Sequence, residues 1–309
     1  MDNNVVIRTI FPILLLMGMG FFSRKMGFLK SGDERVLSAY VYYFALPALF
    51  FINMVETNFI EETLRFMFAG IIPVFVVLTI YTSLYLIFRF QRNTLYLLIL
   101  STVFGSLAFF GIPFITFAFP TRQGEHLATL SAATIAIIGV TISITVLELY
   151  KLEKPTIRQG LKHVLKRFSR NPLIISILSG ILLSLVGLEV PSPISVSLHM
   201  LGGTTSTVAI FMLGVFLYGR KYTNLVRAFE LSLLRIVLLP LVALLTTILF
   251  NLPTVERSVL VLMHGMPVAI SMIILSERYD FYKETIASLI LVSSLGAGIY
   301  LNLWLLLLG

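Results

Sequence analysis

Long apolar stretches separated by short charged connections run through the whole chain. A helix that crosses a bilayer needs roughly 20 mostly apolar residues. Nine stretches free of Asp, Glu, Lys and Arg have about that length or more, and a tenth, 9–23, can be extended back to Val5. The other nine predicted spans are 36–55, 66–88, 93–121, 127–147, 171–188, 190–219, 236–255, 258–276 and 285–309. Backbone groups in lipid must be satisfied within the segment, so each span is predicted to be a helix.

Composition points to the same class. Hydrophobic residues make up 58% of the chain and charged residues 12%, whereas soluble domains are about 25% charged. The net charge of +8 comes from Lys and Arg in short runs between apolar blocks. We therefore interpret it as a topology signal and a contact with anionic lipids, and we expect no nucleic-acid partner. The absence of cysteine excludes disulfides and thiolate chemistry, and we expect no metal or cofactor.

Lys and Arg fall mostly on one side if the N-terminus lies outside. The outer connections then keep only Arg8, Arg65, Arg122 and Arg257. This predicts an even number of spans with both termini outside, in a membrane that we expect to be the bacterial cytoplasmic membrane. Arg235 falls near the inner end of the eighth span, where we expect it to extend to the lipid interface. The alternative is a contact with an anion on the cytoplasmic side.

The long basic stretch between Tyr150 and Asn171 divides the ten spans into five and five. An odd number of spans places the second half in the opposite orientation, as in the inverted repeats of secondary transporters. The predicted organisation is a first repeat at 1–149, a cytoplasmic basic linker at 150–171 and a second repeat at 172–309. The linker is interpreted as a solvated loop, with a short helix on the inner membrane face as the alternative.

Corresponding spans of the two halves carry a Gly-x-Pro motif, Gly111-Ile112-Pro113 in the fourth and Gly265-Met266-Pro267 in the ninth. Proline removes a backbone donor and glycine lets the chain leave helical geometry. Such a break is tolerated in a membrane only where it faces protein or a watery cavity. The paired motifs therefore predict a central site, although a plain kink is the alternative at either one.

Several passages carry a resemblance to a known family. They are Phe44 to Phe51 in the second span, Ser106 to Pro113 in the fourth, Arg170-Asn171-Pro172 before the sixth, Phe211 to Phe216 in the seventh, and Met266-Pro267 with Tyr279 in the second half. In this order they resemble the auxin efflux carrier family, which includes bacterial organic-anion carriers. Ser106 stands where the family usually has asparagine.

The resemblance implies an all-α membrane protein of ten transmembrane helices in two inverted five-helix repeats, with broken, crossing helices four and nine. It also implies a homodimer, a mobile transport domain that moves in elevator fashion, and a small organic anion as substrate.

The predicted substrate-binding residues are grouped around the two breaks. Broken helices direct partly positive N-termini at the cavity, which suits a carboxylate. Serine hydroxyls there donate to the same anion, or bond back to their own helix. His264 binds an anion or a proton, or is a neutral histidine bonded to a neighbouring helix. The predicted set is Ser106, Gly111, Pro113, His264, Gly265, Pro267 and Ser271.

The alternative to an organic-anion carrier within transport is a sodium-coupled symporter of the bile-acid type, which shares the ten-helix plan. Another class of function is a receptor or sensor, which would usually carry a soluble signalling domain. An enzyme is not expected, because the four histidines are scattered along the chain and no Asp lies within a predicted span.

Overall fold

A computed structural model of the chain describes residues 4–151, 171–219 and 222–308. Within these ranges the regular elements are helices, and we number them in chain order. They are α1 (Asn4–Lys25), α2 (Asp33–Val55), α3 (Glu61–Phe88), α4 (Arg92–Val103), α5 (Leu107–Ala118), α6 (Arg122–Lys151), α7 (Pro172–Val186), α8 (Ser192–Leu217), α9 (Leu225–Leu249), α10 (Thr254–His264), α11 (Ser271–Tyr279) and α12 (Lys283–Leu308).

Six of these helices are long and apolar enough to cross a membrane, namely α2, α3, α6, α8, α9 and α12. Two more, α5 and α7, are apolar but shorter. The prediction of an all-helical, multi-pass protein is thus confirmed for the described part of the chain. The ten-span inverted repeat and the division at 149 and 172 stay predictions, and the structure of linker residues 152–170 lies outside the described residues.

Wide π-helical turns precede three prolines in the transmembrane helices. They run over Val41–Ala45, Leu107–Gly111 and Leu234–Leu238, and each ends two residues before a proline, respectively Pro47, Pro113 and Pro240. A proline cannot donate to the carbonyl four residues earlier, and its ring collides with that carbonyl. One extra residue in the preceding turn relieves the collision, so the helix widens instead of breaking.

The chain divides into two compact units by its contacts. Unit 1 draws on residues 1–64, 108–133 and 169–220, and unit 2 on residues 65–107, 134–168 and 221–309. In unit 1, α1 packs closely against α8. Two glycines at this contact, Gly20 and Gly214, leave no space for a larger residue. A Cβ on Gly20 would lie 2.0 Å from the carbonyl oxygen of Phe211, and one on Gly214 would lie 1.8 Å from that of Met17.

In unit 2, α9 packs against both α10 and α12. The indole N–H of Trp304 on α12 donates to the carbonyl of Ile236 on α9, at 2.8 Å. Apolar side chains such as Val259, Leu262 and Ile290 are fully buried in this unit. The helices of unit 2 thus enclose an apolar core.

The start of the eighth span differs from the prediction. A charge-free window placed it at 236–255, whereas α9 begins at Leu225 and ends at Leu249. The predicted span began after Arg235 because a charged residue was expected to lie outside the membrane. Arg235 instead lies within the helix, where backbone carbonyls satisfy its guanidinium.

Candidate functional site

Two interruptions of helical geometry meet within unit 2. Between α4 and α5 the chain leaves regular helical geometry at Phe104–Ser106, and between α10 and α11 at Gly265–Ile270. Gly105 and Val268 form an antiparallel bridge. The Ser106 N–H donates to the carbonyl of Pro267 at 2.7 Å, and the Ala269 N–H donates to that of Phe104 at 2.9 Å. We call these two segments the paired breaks.

Helix α12 supports the paired breaks from one side. The Val268 N–H donates to the hydroxyl oxygen of Ser293 at 3.2 Å, and that hydroxyl donates to the carbonyl of Ile290. The Tyr300 hydroxyl in turn donates to the Ser293 carbonyl at 3.2 Å. Interrupted backbone inside an apolar core has to find such partners, because an unpaired buried amide is costly.

Arg235 lies at the paired breaks, so the prediction that it extends to the lipid interface is wrong. Its side chain is 1% exposed. The guanidinium donates from Nε to the carbonyl of Met266 and from Nη1 to the carbonyl of Thr102. Thr102 lies in the last turn of α4 and Met266 two residues beyond the end of α10, so neither carbonyl has a helical donor. These bonds replace part of the hydration that the guanidinium loses on burial, and they also satisfy the two carbonyls.

Gly105 makes room for this guanidinium. A Cβ at that position would lie 1.5 Å from Nη2 of Arg235 and 2.3 Å from its Cζ. The break at Phe104–Ser106 therefore lies directly against the charged group. Glycine is required at position 105 by space, and any larger residue would displace the guanidinium.

No described carboxylate balances this charge. Among the described residues, none of the Asp or Glu side chains forms an ion pair with Arg235, and none of them is buried. A buried cation without a counter-ion raises the local potential strongly, because the surroundings screen it poorly. The paired breaks are therefore a positively charged site in an apolar unit.

His264 is bonded to a neighbouring helix, which is the contact expected in one of its two predicted alternatives. Its Nε2 lies 2.9 Å from the carbonyl of Gly70 on α3. A carbonyl only accepts, so Nε2 carries a hydrogen, and in the neutral imidazole Nδ1 is then an acceptor. Nδ1 is buried and has no hydrogen-bond partner among the described residues.

The predicted serines differ in their surroundings. Ser106 is 3% exposed, and its hydroxyl has no partner among the described residues, so it does not bond back to its own helix. Its N–H instead pairs the two breaks. Ser271 is half-buried at the first position of α11.

The two Gly-x-Pro motifs turn out to be placed differently. Gly265 and Pro267 lie within the second break, as predicted. Gly111 and Pro113 do not mark the first break, which lies at Phe104–Ser106. They belong to unit 1 and to the continuous helix α5, and the wide turn before Pro113 is the reason that no break forms there.

A second polar group lies in unit 1, around the end of α2. A cavity of about 640 Å³ is lined there by Asn53, Glu56, Arg122, Gln123, Glu125, His126 and His199. Glu56 accepts from Arg122 at 3.2 Å and pairs with Nε2 of His199 at 2.8 Å. Burial on its own would raise the pKa of the Glu56 carboxyl, but its bonds to His199 and Arg122 outweigh burial and lower it.

Within the described residues, no cluster of three or more His, Cys, Asp or Glu has a geometry that could hold a metal ion.

Sequence reasoning missed Gly105 and Ser293 at the paired breaks, and it gave Arg235 a contact with an anion only as the alternative. A charge inside an apolar span is by itself a signal of function, and it would have identified Arg235 had it not been assigned to the interface. Gly105 and Ser293 left no such signal, because small residues are common in membrane helices.

Comparison with known proteins identifies the family. A model of the family described as "Membrane transport protein" matches residues 5–305. The chain is 25% identical over 303 residues to the uncharacterized transporter YfdV of Escherichia coli, which covers 95% of each chain. It is 26% identical over 303 residues to the uncharacterized transporter MJ1031 of Methanocaldococcus jannaschii, which covers 94% of this chain and 95% of the relative. Because the family model matches this chain over nearly its full length, the chain belongs to the family: it is a membrane transporter of the auxin efflux carrier family.

Proposed function

We propose that this transporter is a secondary carrier of a small organic anion, with a carboxylate as the recognised group. The observation that carries the proposal is the uncompensated guanidinium of Arg235 at the paired breaks. A solute that enters a buried positive site is favoured if it brings a negative charge, since the pair then costs less to bury than the cation alone.

The helix ends at the paired breaks support the same choice. Helices α5 and α11 begin directly after the two interruptions. The N-terminus of a helix carries a partial positive charge and unsatisfied N–H groups. Discontinuous helices in secondary transporters direct such N-termini at anionic groups of their substrates.

Among the described residues, five buried side-chain polar atoms lack a partner, and two of them, the hydroxyl of Ser106 and Nδ1 of His264, belong to residues at or next to the paired breaks. A hydroxyl can donate to a carboxylate, and the bare imidazole nitrogen can accept from a hydroxyl or a protonated acid. Buried polar groups without partners are uncommon, and each one requires a reason. A bound polar solute would supply partners to both.

Sodium-coupled symport of the bile-acid type is the alternative within transport. That alternative has less support, because no Asp or Glu is buried among the described residues. The proposal also includes elevator-type motion and a homodimer, which rest on the family resemblance. It further includes contacts with anionic lipids and external termini in a bacterial cytoplasmic membrane, for which the charge pattern is the main support.

Reconstitution in liposomes tests the proposal. Purified protein is supplied with labelled mono- and dicarboxylates outside and the unlabelled acid inside. We expect saturable counterflow of at least one carboxylate, and no counterflow of the uncharged amide of the same acid as the matched control. Folded protein that exchanges none of the acids, or that exchanges the amide equally well, would refute an anion carrier.

A further inference from the structure

The guanidinium of Arg235 lies at the C-terminal ends of two helices at once. Helix α4 ends at Val103 and α10 ends at His264. The carbonyls that accept from Arg235 are those of Thr102 and Met266, one residue before the first end and two residues after the second. Helix C-termini carry a partial negative charge of about half an elementary unit each. A cation between two of them is favoured by both.

Carriers with broken helices place a coupling ion at such points. Unwound carbonyls and half-helix C-terminal ends are the groups that coordinate a sodium ion in these folds. Here two of those carbonyls already accept from the protein's own side chain, and Gly105 leaves the space that the guanidinium fills. The position is therefore taken by a cation that is covalently part of the chain.

The guanidinium also keeps donors for a ligand. Arginine has five N–H groups in a planar fork. Among the described residues, Nε and Nη1 each have one acceptor, and none accepts from Nη2. The group that holds the two helix ends together thus has unused N–H groups and an unbalanced charge.

We infer that Arg235 is a built-in cation of the transport site. It joins the two half-helix C-termini, stands in for a diffusible coupling ion, and supplies the positive charge against which the anion binds. The inference rests on the proposed function for its last step, and on the geometry of the paired breaks alone for the first two.

Removal and chemical replacement of the side chain test the inference. In Arg235→Ala we expect the counterflow rate to fall about tenfold or more, because hydrogen bonds to a charged group are lost and their acceptors stay buried. Free guanidinium at tens of millimolar is far below its denaturing range. It should restore part of the rate and raise the melting temperature of the variant in detergent, and equal sodium chloride should do neither.

Substitutions at two glycines, Gly105 and Gly203, test whether transport depends on the space that the guanidinium of Arg235 occupies. Gly105→Ala places a methyl group on the guanidinium, so it should lose transport as Arg235→Ala does, without recovery in guanidinium. Gly203→Ala is the matched control, because a Cβ there meets nothing within 4 Å. It should transport normally.

Three results would overturn the inference. The first is normal transport by a folded Arg235→Ala variant. The second is a folded Arg235→Ala variant whose transport rate and melting temperature do not change when guanidinium is added. The third is wild-type counterflow that requires sodium. The sodium measurement uses wild-type protein and decides the matter even if the variants do not fold. Failure of the anion-carrier proposal looks different: wild-type protein then exchanges no acid, while the melting temperature of Arg235→Ala still rises with guanidinium.

Discussion

A single arginine shows how a membrane protein accommodates charge inside a span. Arg235 is fully buried, and its guanidinium donates hydrogen bonds to two carbonyls that have no helical donor. The cost of burying the cation is thereby offset against the cost of two broken helix ends. Each defect compensates for the other, which explains why both occur at one place.

His264 illustrates a titratable side chain whose neighbour decides its form. The carbonyl of Gly70 accepts from Nε2 and so selects the tautomer with Nδ1 bare. In that tautomer His264 can accept a hydrogen bond at Nδ1.

Glu56 in unit 1 gives a pH prediction at the residue scale. Its carboxyl pKa is lowered, so the stabilisation by His199 and Arg122 is complete above the ordinary value of 4.5 and is lost as pH falls through the lowered pKa. We expect Glu56→Gln to lower the melting temperature slightly at neutral pH. The loss in the free energy of unfolding should be no more than about 1 kcal/mol, because Arg122 is exposed. The difference should shrink and then vanish as the pH falls below 4.5 and through the lowered pKa of Glu56.

The control for this measurement is Glu189→Gln, an exposed glutamate in the same unit. Its melting temperature should follow that of the wild-type protein at every pH. A Glu56→Gln difference that grows as the pH falls would contradict the assignment.

At the scale of elements, the prolines of the apolar helices have different outcomes. Pro73 lies inside α3 without a wider turn, whereas before Pro47, Pro113 and Pro240 the helix widens by one residue and continues. Before Pro267 the helix ends, at His264, and the chain stays irregular until Ser271. This interruption needs outside partners for the freed backbone, and Ser106, Phe104 and Ser293 supply them.

Alanine at the two motif prolines separates these outcomes. Pro267→Ala gains an N–H and a freer backbone at the paired breaks. Helix α10 can then extend, which would draw the carbonyl of residue 267 away from the N–H of Ser106. We expect a marked loss of counterflow at unchanged expression. Pro113→Ala restores a helical donor inside α5 and should transport close to normally. Equal losses in both variants would return Gly111 and Pro113 to the substrate site, as first predicted.

At the scale of the whole molecule, each compact unit draws on residues before and after the basic linker. The paired breaks and Arg235 belong entirely to unit 2, and the Glu56 cavity belongs to unit 1. An elevator mechanism would move the unit that holds the substrate, so its site should become accessible from each side of the membrane in turn.

Thiol labelling tests this movement, because the chain has no cysteine of its own. A cysteine in place of Ser271, at the start of α11, should react with membrane-impermeant reagents from both sides, and more slowly when the transported acid is present. Ser192→Cys is the control, since this exposed residue at the start of α8 should react from the outside only. Labelling of position 271 from one side alone would argue against alternating access.

The sequence by itself determined the class, the family and most helix positions, because the length of an apolar run and the charges at its ends depend only on neighbouring residues. It also located the break at Gly265 and Pro267, where local chemistry suffices. Only the tertiary structure decided where the fourth span is interrupted and what Arg235 does. Its bond to Thr102 joins residues 133 positions apart, and the cost of a broken helix or a buried charge depends on partners that are distant in the chain.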